Sequence, residues 1–295
     1  ASVFAASASM AVSGWTTGCR RAQPPQAHRV KPPIAASASA EAFRANAPSR
    51  APMPTWTPPP VQERVLSNGL RVLFVPRQGP GVAAIEVTVA RGASVASPGL
   101  ASFAAAMLLR GTTQHNADEL SESFTRLGVE PTTLANHDAM FTSARFLARD
   151  LVAVLELVSE VVRRPAFSRH ELELERTRRL TQWKQLRDVP SALMSIQSAA
   201  QLFGSGHPYG YIPLGNDGAI RGVDREMLKR FHAEQFAPDI TTVCIAGDLA
   251  VDDVFVAVEK AFGDWTGHAR AVPPLPPAAP KAEHIVLVDR PQATQ

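Results

Sequence analysis

Two proline-rich stretches bound the part of this chain that can build a hydrophobic core. Residues 20–60 hold ten prolines, including Pro58-Pro59-Pro60, and the run Val272-Pro273-Pro274-Leu275-Pro276-Pro277 lies near the other end. Proline lacks an amide hydrogen and fixes its own φ, so such segments favour extended linkers over packed elements. We therefore predict one folded domain, residues 61–270. It follows a disordered Pro/Ala-rich linker (20–60) and precedes an interdomain linker with the start of a second domain (271–295), where residues 285–288 are strand-like.

The first 19 residues leave two interpretations open. They contain no charged side chain and end in Thr16-Thr17-Gly18-Cys19, which Arg20-Arg21 follows. This order is similar to the end of an export signal, in particular a bacterial lipoprotein signal acylated at Cys19. That interpretation predicts a bacterial cell-envelope or periplasmic location, with a lipid anchor at Cys19. The alternative is an Ala/Ser-rich disordered leader. The sequence contains no run of about 20 apolar residues, so we predict no transmembrane span.

Charge and cysteine content exclude two further classes. The chain has 30 Lys and Arg against 27 Asp and Glu, but residues 1–60 account for a net charge of +5, which leaves residues 61–295 at −2. A nucleic-acid-binding domain concentrates positive charge on its folded surface, so we predict no nucleic-acid partner. Cys19 and Cys244 are the only cysteines, which excludes a disulfide framework. Cys244 lies in an apolar run and is predicted to be a buried small hydrophobic residue.

The order of helix and strand signals predicts an α+β fold. Strand signals occur in groups, with amphipathic helices between them, instead of alternating regularly as in parallel βαβ proteins. The predicted strands are 70–75, 82–90, 131–134, 140–146 and 240–246, and the predicted helices are 100–109, 118–127, 150–162, 169–187, 191–203, 225–235 and 251–262. We expect an antiparallel or mixed β-sheet packed against several helices.

Short catalytic motifs are missing from the sequence. The eight histidines are never closer than 16 residues, so no helical turn presents two imidazoles to one zinc ion. The sequence contains no G-x-S-x-G elbow, no Walker-type phosphate loop and no G-x-G-x-x-G after a strand. The residues alone do not predict a self-sufficient enzyme.

A series of ordered matches nevertheless resembles the insulinase/pitrilysin family of zinc peptidases, in its mitochondrial-processing-peptidase-like branch. The strongest match is the run Gly99-Leu100-Ala101-Ser102-Phe103-Ala104-Ala105-Ala106-Met107-Leu108-Leu109-Arg110-Gly111-Thr112. Others include Asn68-Gly69-Leu70-Arg71-Val72, Leu127-Gly128, His137-Asp138, Pro165-Ala166-Phe167, His207-Pro208-Tyr209, Pro213-Leu214-Gly215 and Phe262-Gly263-Asp264-Trp265. The resemblance covers residues 61–291 and implies one domain of a processing-peptidase-like subunit, with the LuxS/metallopeptidase-like fold.

The resemblance also identifies where a zinc site would lie. Active members carry H-x-x-E-H on the first helix and a zinc-binding glutamate on a later helix. The matching residues here are Ser102, Ala105, Ala106 and Gln182. We therefore predict no catalytic residue and no metal site in this chain. The simplest interpretation is that the three small residues allow close helix packing, with Gln182 hydrogen-bonded nearby. Ser102 has no histidine within local reach that could activate it.

Two tyrosines, Tyr209 and Tyr211, lie in the loop that matches the family's substrate side. They are candidate contacts for a bound peptide, and a packing role remains equally open.

The resemblance implies a non-catalytic subunit, or half, of a zinc metalloendopeptidase. Such a chain completes the chamber and helps to bind extended peptide, while zinc is held by an active partner subunit in a heterodimer or by a covalent second half. Two alternatives stay open. One is a structural, core-type scaffold protein without a proteolytic role. The other is an enzyme with unrecognised chemistry, binding a metal through His137, Asp138 or His207.

Overall fold

The computed structural model describes residues 55, 57–204, 206–278, 285 and 287. Contacts divide the chain after Trp56, and every element below lies in the unit Thr57–Gln295. The described residues form six strands: β1 (Gln62–Val65), β2 (Arg71–Pro76), β3 (Val82–Val89), β4 (Thr132–Ala135), β5 (Met140–Leu147) and β6 (Thr241–Gly247). They also form eight helices: α1 (Leu100–Leu108), α2 (Ala117–Arg126), α3 (Leu151–Arg163), α4 (Arg169–Asp188), α5 (Pro190–Phe203), α6 (Asp217–Gly222), α7 (Arg225–Gln235) and α8 (Val251–Phe262).

The six strands form one mixed sheet in the order β1-β2-β6-β3-β5-β4. Strands β2 and β6 are parallel, and the other neighbouring pairs are antiparallel. The predicted fold class, a mixed sheet with several helices, is confirmed. Among the residues that the structure describes, strand β4 forms one edge of the sheet and pairs with β5 alone.

One face of the sheet carries the hydrophobic core. Strand β3 alternates buried and more exposed residues along its whole length, as a strand with one covered face does. Three helices pack on the covered face. Helix α1 contacts β4 and β5, helix α3 contacts β5, and helix α8 contacts β2. Phe74 on β2 and Phe103 on α1 are fully buried in this core. The first helix of the resemblance therefore lies directly on the sheet, near its β4 edge.

Cys244 differs from its predicted position. It occupies β6, but its side chain faces the open side of the sheet and is half-buried. Its neighbours Val243 and Ile245 take the core side, because successive strand residues alternate between faces. Partial burial raises the pKa of the Cys244 thiol.

Most predicted elements match the observed ones within two residues, but two elements were not predicted. All four residues of β1 are exposed, so this strand has no apolar alternation to detect. Helix α6 is only six residues long and contains two glycines, which disfavour helix. It begins at Asn216, whose side chain accepts a hydrogen bond from the Ala219 amide. The predicted signal, Cys19, nearly all of the first linker, and residues 286 and 288 of the strand-like run lie outside the described residues.

A partly buried histidine on α7 makes the stability of this domain sensitive to pH. The His232 ring stacks on Phe236, with centroids 4.4 Å apart, and its Nε2 lies 2.8 Å from the Val162 carbonyl oxygen on α3. Burial lowers the pKa of His232 from its ordinary value of 6.5, and the hydrogen bond to Val162 opposes this shift. The unfolded chain therefore binds this proton more tightly than the folded chain does.

We expect the His232 contribution to stability to be complete above pH 6.5 and to fall as the pH drops below that value. Changing His232→Gln should flatten the dependence of the urea midpoint on pH between 7 and 5. His170→Gln is the matched control, because His170 is exposed. Equal pH profiles for His232→Gln and the unsubstituted chain would contradict the prediction.

Candidate functional site

Helix α1 presents the three motif positions to different environments. Its start is fixed by Gly99, which has φ 85°, and a Cβ on Gly215 would lie only 2.9 Å from the Gly99 Cα. The close contact between Gly99 and Gly215 holds the loop that ends at Gly215 against the start of α1. Ser102 and Ala106 are half-buried, whereas Ala105 is 1% exposed. The 102/106 side of the helix is therefore partly exposed, whereas Ala105 is packed.

Ser102 is fully engaged in hydrogen bonds. Its hydroxyl donates to the Pro213 carbonyl oxygen at 2.6 Å. The Ser102 hydroxyl oxygen also accepts a hydrogen bond from one terminal nitrogen of Arg179 at 3.0 Å. The other terminal nitrogen of Arg179 donates to the Ser102 carbonyl oxygen. Arg179 thus joins α4 to α1, and Ser102 joins α1 to the loop at Pro213. The hydroxyl of Ser102 acts as a packing contact and has no base beside it.

Arg179 belongs to a buried ion pair with Glu175, one turn earlier on α4. The Nε of Arg179 lies 2.9 Å from Glu175 Oε1, and Arg178 donates two further hydrogen bonds to the same carboxylate. Glu175 is 2% exposed and Arg179 is 5% exposed. The Arg179 guanidinium also lies over the Phe103 ring, 4.8 Å from its centroid. Burial lowers the pKa of Arg179, and the charge of Glu175 opposes that shift.

Gln182 lies elsewhere than we expected. Its side chain is exposed, and among the described residues it makes no hydrogen bond. Arg179, three residues before it, reaches α1 instead.

These groups do not fit a zinc ion. Zinc binds lone pairs of thiolate, imidazole or carboxylate, whereas the motif positions supply a hydroxyl, two methyl groups and an exposed amide. The guanidinium beside Ser102 has no free lone pair and is positively charged, so it would repel a divalent cation. Over the part of the chain that the structure describes, no group of three His, Cys, Asp or Glu residues could hold a metal ion.

The alternative metal ligands cluster around Tyr209. The His137 ring stacks on Tyr209 with centroids 4.7 Å apart, and the Tyr209 hydroxyl donates to the carboxylate of Asp138. Both nitrogens of His207 are occupied, because Nδ1 accepts from the Tyr209 amide and Nε2 lies 2.8 Å from the Pro276 carbonyl oxygen. The hydrogen bond to Asp138 raises the pKa of the Tyr209 phenol. The cluster is an aromatic packing unit with one exposed carboxylate.

Tyr211 is turned toward the protein. Its hydroxyl lies 3.1 and 3.0 Å from the carbonyl oxygens of Ala93 and Ala96, and burial raises its pKa. Its own carbonyl oxygen lies 2.8 Å from Nε2 of His137. Tyr211 therefore holds the loop in place, whereas the Tyr209 hydroxyl contacts the exposed residue Asp138.

Comparison with known protein families assigns this architecture. The model described as "Insulinase (Peptidase family M16)" matches residues 80–203, and the model "Peptidase M16 inactive domain" matches residues 222–295. The chain belongs to the insulinase family, peptidase family M16. The first match contains α1 through α5, and with them all four positions of the predicted zinc motif.

Several M16 relatives extend this result. The chain is 22% identical to an uncharacterized zinc protease of Bacillus subtilis over 72% of this chain and 52% of that protein. It is 27% identical to one of Mycobacterium leprae over 67% and 45%. A peptidase M16 inactive domain from Pseudomonas fluorescens superposes with a TM-score of 0.69, at 25% identity over 75% and 54%. The first half of a periplasmic protease from Escherichia coli shares the fold, with a TM-score of 0.68, 17% identity and coverage of 73% and 48%.

The chain spans about half the length of the curated relatives that it matches. Taken together, the family models and the solved domains make it an M16 peptidase-like domain of the inactive type. No helix within the described residues is both long and apolar enough to cross a membrane.

Sequence reasoning missed Glu175 and Arg179, the buried ion pair beside Ser102. Glu175 and Arg179 are spaced i,i+4 on α4 and can therefore pair on one helix face. Such pairs are usually solvated, so the sequence alone favours surface positions for Arg178 and Arg179. Arg179 lies one turn before Gln182, on the helix that faces α1. This position is the sequence feature that distinguishes a buried ion pair from a solvated one.

Proposed function

We propose that this chain is the non-catalytic half of an M16 zinc metalloendopeptidase, and that zinc is held by an active partner bearing the intact H-x-x-E-H motif. One observation carries the proposal. The position that matches the first zinc-binding histidine is Ser102, and the guanidinium of the buried residue Arg179 is hydrogen-bonded to it. The inert positions sit in an otherwise intact M16 fold, which supports a role in architecture and substrate binding.

This chain alone lacks the two groups that zinc-dependent hydrolysis needs, namely metal ligands and a carboxylate base. Peptide hydrolysis at a zinc site needs ligands that hold the metal and a carboxylate that removes a proton from the attacking water. Ala105 stands at the position of that carboxylate. Glu175, the nearest carboxylate on α4, is already neutralised by Arg178 and Arg179.

The edge of the sheet beside α1 supports a role in peptide binding. Strand β4 ends the sheet, and α1 packs against it. The Asn136 amide donates inward to the Ala139 carbonyl oxygen, and amide directions alternate along an antiparallel strand. The main-chain groups of Thr133 and Ala135 therefore point away from β5. An extended peptide can add to these groups as a further strand, which is a common mode of peptide recognition.

A proline at this edge tests strand addition. Thr133→Pro removes an outward amide and leaves the inward hydrogen bonds to β5 in place. We expect the assembled enzyme to bind extended peptides about tenfold more weakly, the equivalent of one lost hydrogen bond. Val65→Pro, on the opposite edge strand β1, is the matched control. The Leu66 amide donates inward to the Leu70 carbonyl oxygen, so the Val65 amide points outward. This control should leave binding unchanged. Equal affinities for the two variants would argue against β4 as the peptide-binding edge.

Reconstitution tests the proposed function itself. The purified chain should contain substoichiometric zinc and cleave no peptide, and mixing it with a motif-bearing M16 subunit should produce cleavage. Replacing the motif glutamate of that subunit by glutamine should abolish the activity of the mixture. Stoichiometric zinc with turnover by this chain alone would overturn the proposal. A stable complex without cleavage would favour the structural scaffold alternative.

A further inference from the structure

Three arginine side chains surround one buried carboxylate between α1 and α4. Glu175 of α4 accepts hydrogen bonds from Arg178 and Arg179, and a terminal nitrogen of Arg110 lies 3.8 Å from its Oε2. The side chain of Glu175 is fully buried. One negative charge therefore faces three positive charges, and the cluster keeps an excess of positive charge.

Only two of the three guanidinium groups are accessible to a ligand. Arg179 uses its Nε and both terminal nitrogens to bond to Glu175 and Ser102, and its side chain is 6% exposed. The side chain of Arg178 is 59% exposed and that of Arg110 is 42% exposed. Arg179 therefore holds Glu175 in place, while Arg110 and Arg178 present positive charge at the surface.

Arg110 and Arg178 also have unused hydrogen-bond donors. Arg178 bonds to Glu175 through Nε and one terminal nitrogen, and its other terminal nitrogen makes no hydrogen bond among the described residues. The guanidinium of Arg110 makes no hydrogen bond within the same part of the chain, because its contact with Glu175 exceeds hydrogen-bond distance. A guanidinium is a planar fork of N–H donors that fits both oxygens of a carboxylate.

The arginine pair lies at the junction of the two helices that the family resemblance matches to the zinc site. Arg110 comes just after the end of α1, which carries Ser102 and Ala106. Arg178 precedes Arg179, the residue that bonds to Ser102. The resemblance implies a divalent cation at this junction in active members, whereas this chain supplies fixed positive charge of its own. The junction therefore favours an anionic ligand.

A cavity of about 470 Å³ adjoins Arg110 and leaves room for the rest of a ligand. Arg110 lines it together with the first residues of α2 and α4. Asp118 and Glu171 also line it, and neither forms an ion pair with Arg110 in the part of the chain that the structure describes. Because these two carboxylates repel further negative charge, the cavity favours a ligand with a single carboxylate on an otherwise neutral chain.

We propose that Arg110 and Arg178 together bind a carboxylate of a peptide, from an acidic side chain or from the C-terminus. Arginine–carboxylate contacts are charge-assisted and often bidentate, which makes them stronger than neutral hydrogen bonds. A ligand carboxylate would also balance the charge excess around Glu175. Residues 61–295 carry a net charge of −2, so the folded part as a whole does not attract anions. The inference rests on the proposed function only in that the ligand is a peptide.

NMR of arginine side chains measures this binding on the 295-residue chain alone. Three N-acetylated peptides of threonine and valine are titrated. The first has a central glutamate and an amidated C-terminus, the second has glutamine in place of glutamate, and the third is the glutamine peptide with a free C-terminal carboxylate. The first should shift the Nε–Hε signals of Arg110 and Arg178 and bind at least about tenfold more tightly than the second, the equivalent of one charge-assisted hydrogen bond. A third peptide that binds more tightly than the first would assign the C-terminal carboxylate as the ligand and equally support the site.

Removing the two accessible charges tests the residues. Arg110→Gln with Arg178→Gln should lower the preference for glutamate over glutamine to less than about twofold, because no exposed guanidinium remains at the junction. Glu175 keeps its bond to Arg179 in this variant, and circular dichroism establishes that the chain is folded. Arg178→Gln alone changes one exposed side chain and should give an intermediate preference, which tests the site even if the double variant does not fold.

A matched control separates local binding from general attraction. Arg126→Gln with Arg221→Gln removes the same charge from the chain. These side chains are 70% and 59% exposed, and each pairs with a carboxylate four residues earlier, Glu122 and Asp217. The control variant retains the basic residues 1–60, so any attraction of the peptide to them is the same in both double variants. It should bind the glutamate peptide as the unsubstituted chain does.

Three outcomes would overturn the inference. They are equal affinities for the glutamate and glutamine peptides, a preference that survives in the Arg110/Arg178 variant or disappears equally in the control, and a response of both arginines to inorganic phosphate but to none of the peptides. These titrations measure neither zinc content nor cleavage. A chain that binds the carboxylate but yields no cleavage with a motif-bearing subunit would therefore contradict the proposed function and leave this inference standing.

Discussion

Replacing Glu175 by methionine is expected to destabilise the domain by about 3 to 5 kcal/mol, because it leaves the charge of Arg179 buried without its partner. Arg179 is 5% exposed, so water cannot replace the lost carboxylate. Arg179→Met should cost less, about 1 to 3 kcal/mol, since Arg178 still neutralises Glu175. The double variant should be more stable than the sum of the two single effects predicts.

Urea unfolding of the four proteins measures these effects, with the slope of the transition checked for constancy. Glu122→Met is the matched control. Glu122 also pairs with an arginine at i+4, Arg126, but their side chains are 63% and 70% exposed. An exposed pair of this kind contributes less than about 1 kcal/mol. A Glu175→Met variant no less stable than Glu122→Met would show that the ion pair is not buried in solution.

Restoring the zinc motif should restore zinc binding only when Arg179 is also removed. The variant with Ser102→His, Ala105→Glu, Ala106→His and Gln182→Glu regains the ligand types of the active family. Arg179 would nevertheless remain within hydrogen-bond distance of position 102, and a positive charge a few ångströms from a divalent ion disfavours binding by several kcal/mol. Adding Arg179→Met should tighten zinc binding by at least about 100-fold.

Isothermal titration calorimetry and zinc stoichiometry measure this difference. The four-substitution variant is the reference, and Arg179→Met in the unsubstituted chain is the control, which should bind no zinc. Circular dichroism establishes that each variant is folded. A folded five-substitution variant that takes up no zinc would show that α1 and α4 are not in the register assumed for positions 102 and 182.

Local sequence patterns were sufficient to predict most of the helices and strands. The segment of β3 is predicted to be a strand because apolar residues occupy every second position. The segment of α1 is predicted to be a helix because Leu100 to Leu109 contains no helix-breaking residue. Strand β1 and helix α6 were not predicted, because neither is long enough, or apolar enough on one side, to show a periodic pattern of apolar residues. The side of the sheet that Cys244 faces depends on strand pairing, which composition does not specify.

The chemistry of the motif positions was determined by the sequence alone. A serine hydroxyl and alanine methyl groups are not among the usual zinc ligands, so residue type alone predicts that positions 102, 105 and 106 hold no zinc. What took the place of that site was decided by tertiary structure. Arg179 reaches Ser102 across 77 residues of chain only because α4 packs beside α1. Burial fixes this member of an i,i+4 ion pair beside the residue that the resemblance matches to a zinc-binding histidine. Residue types are a local property, whereas burial and distance arise only when distant segments pack together.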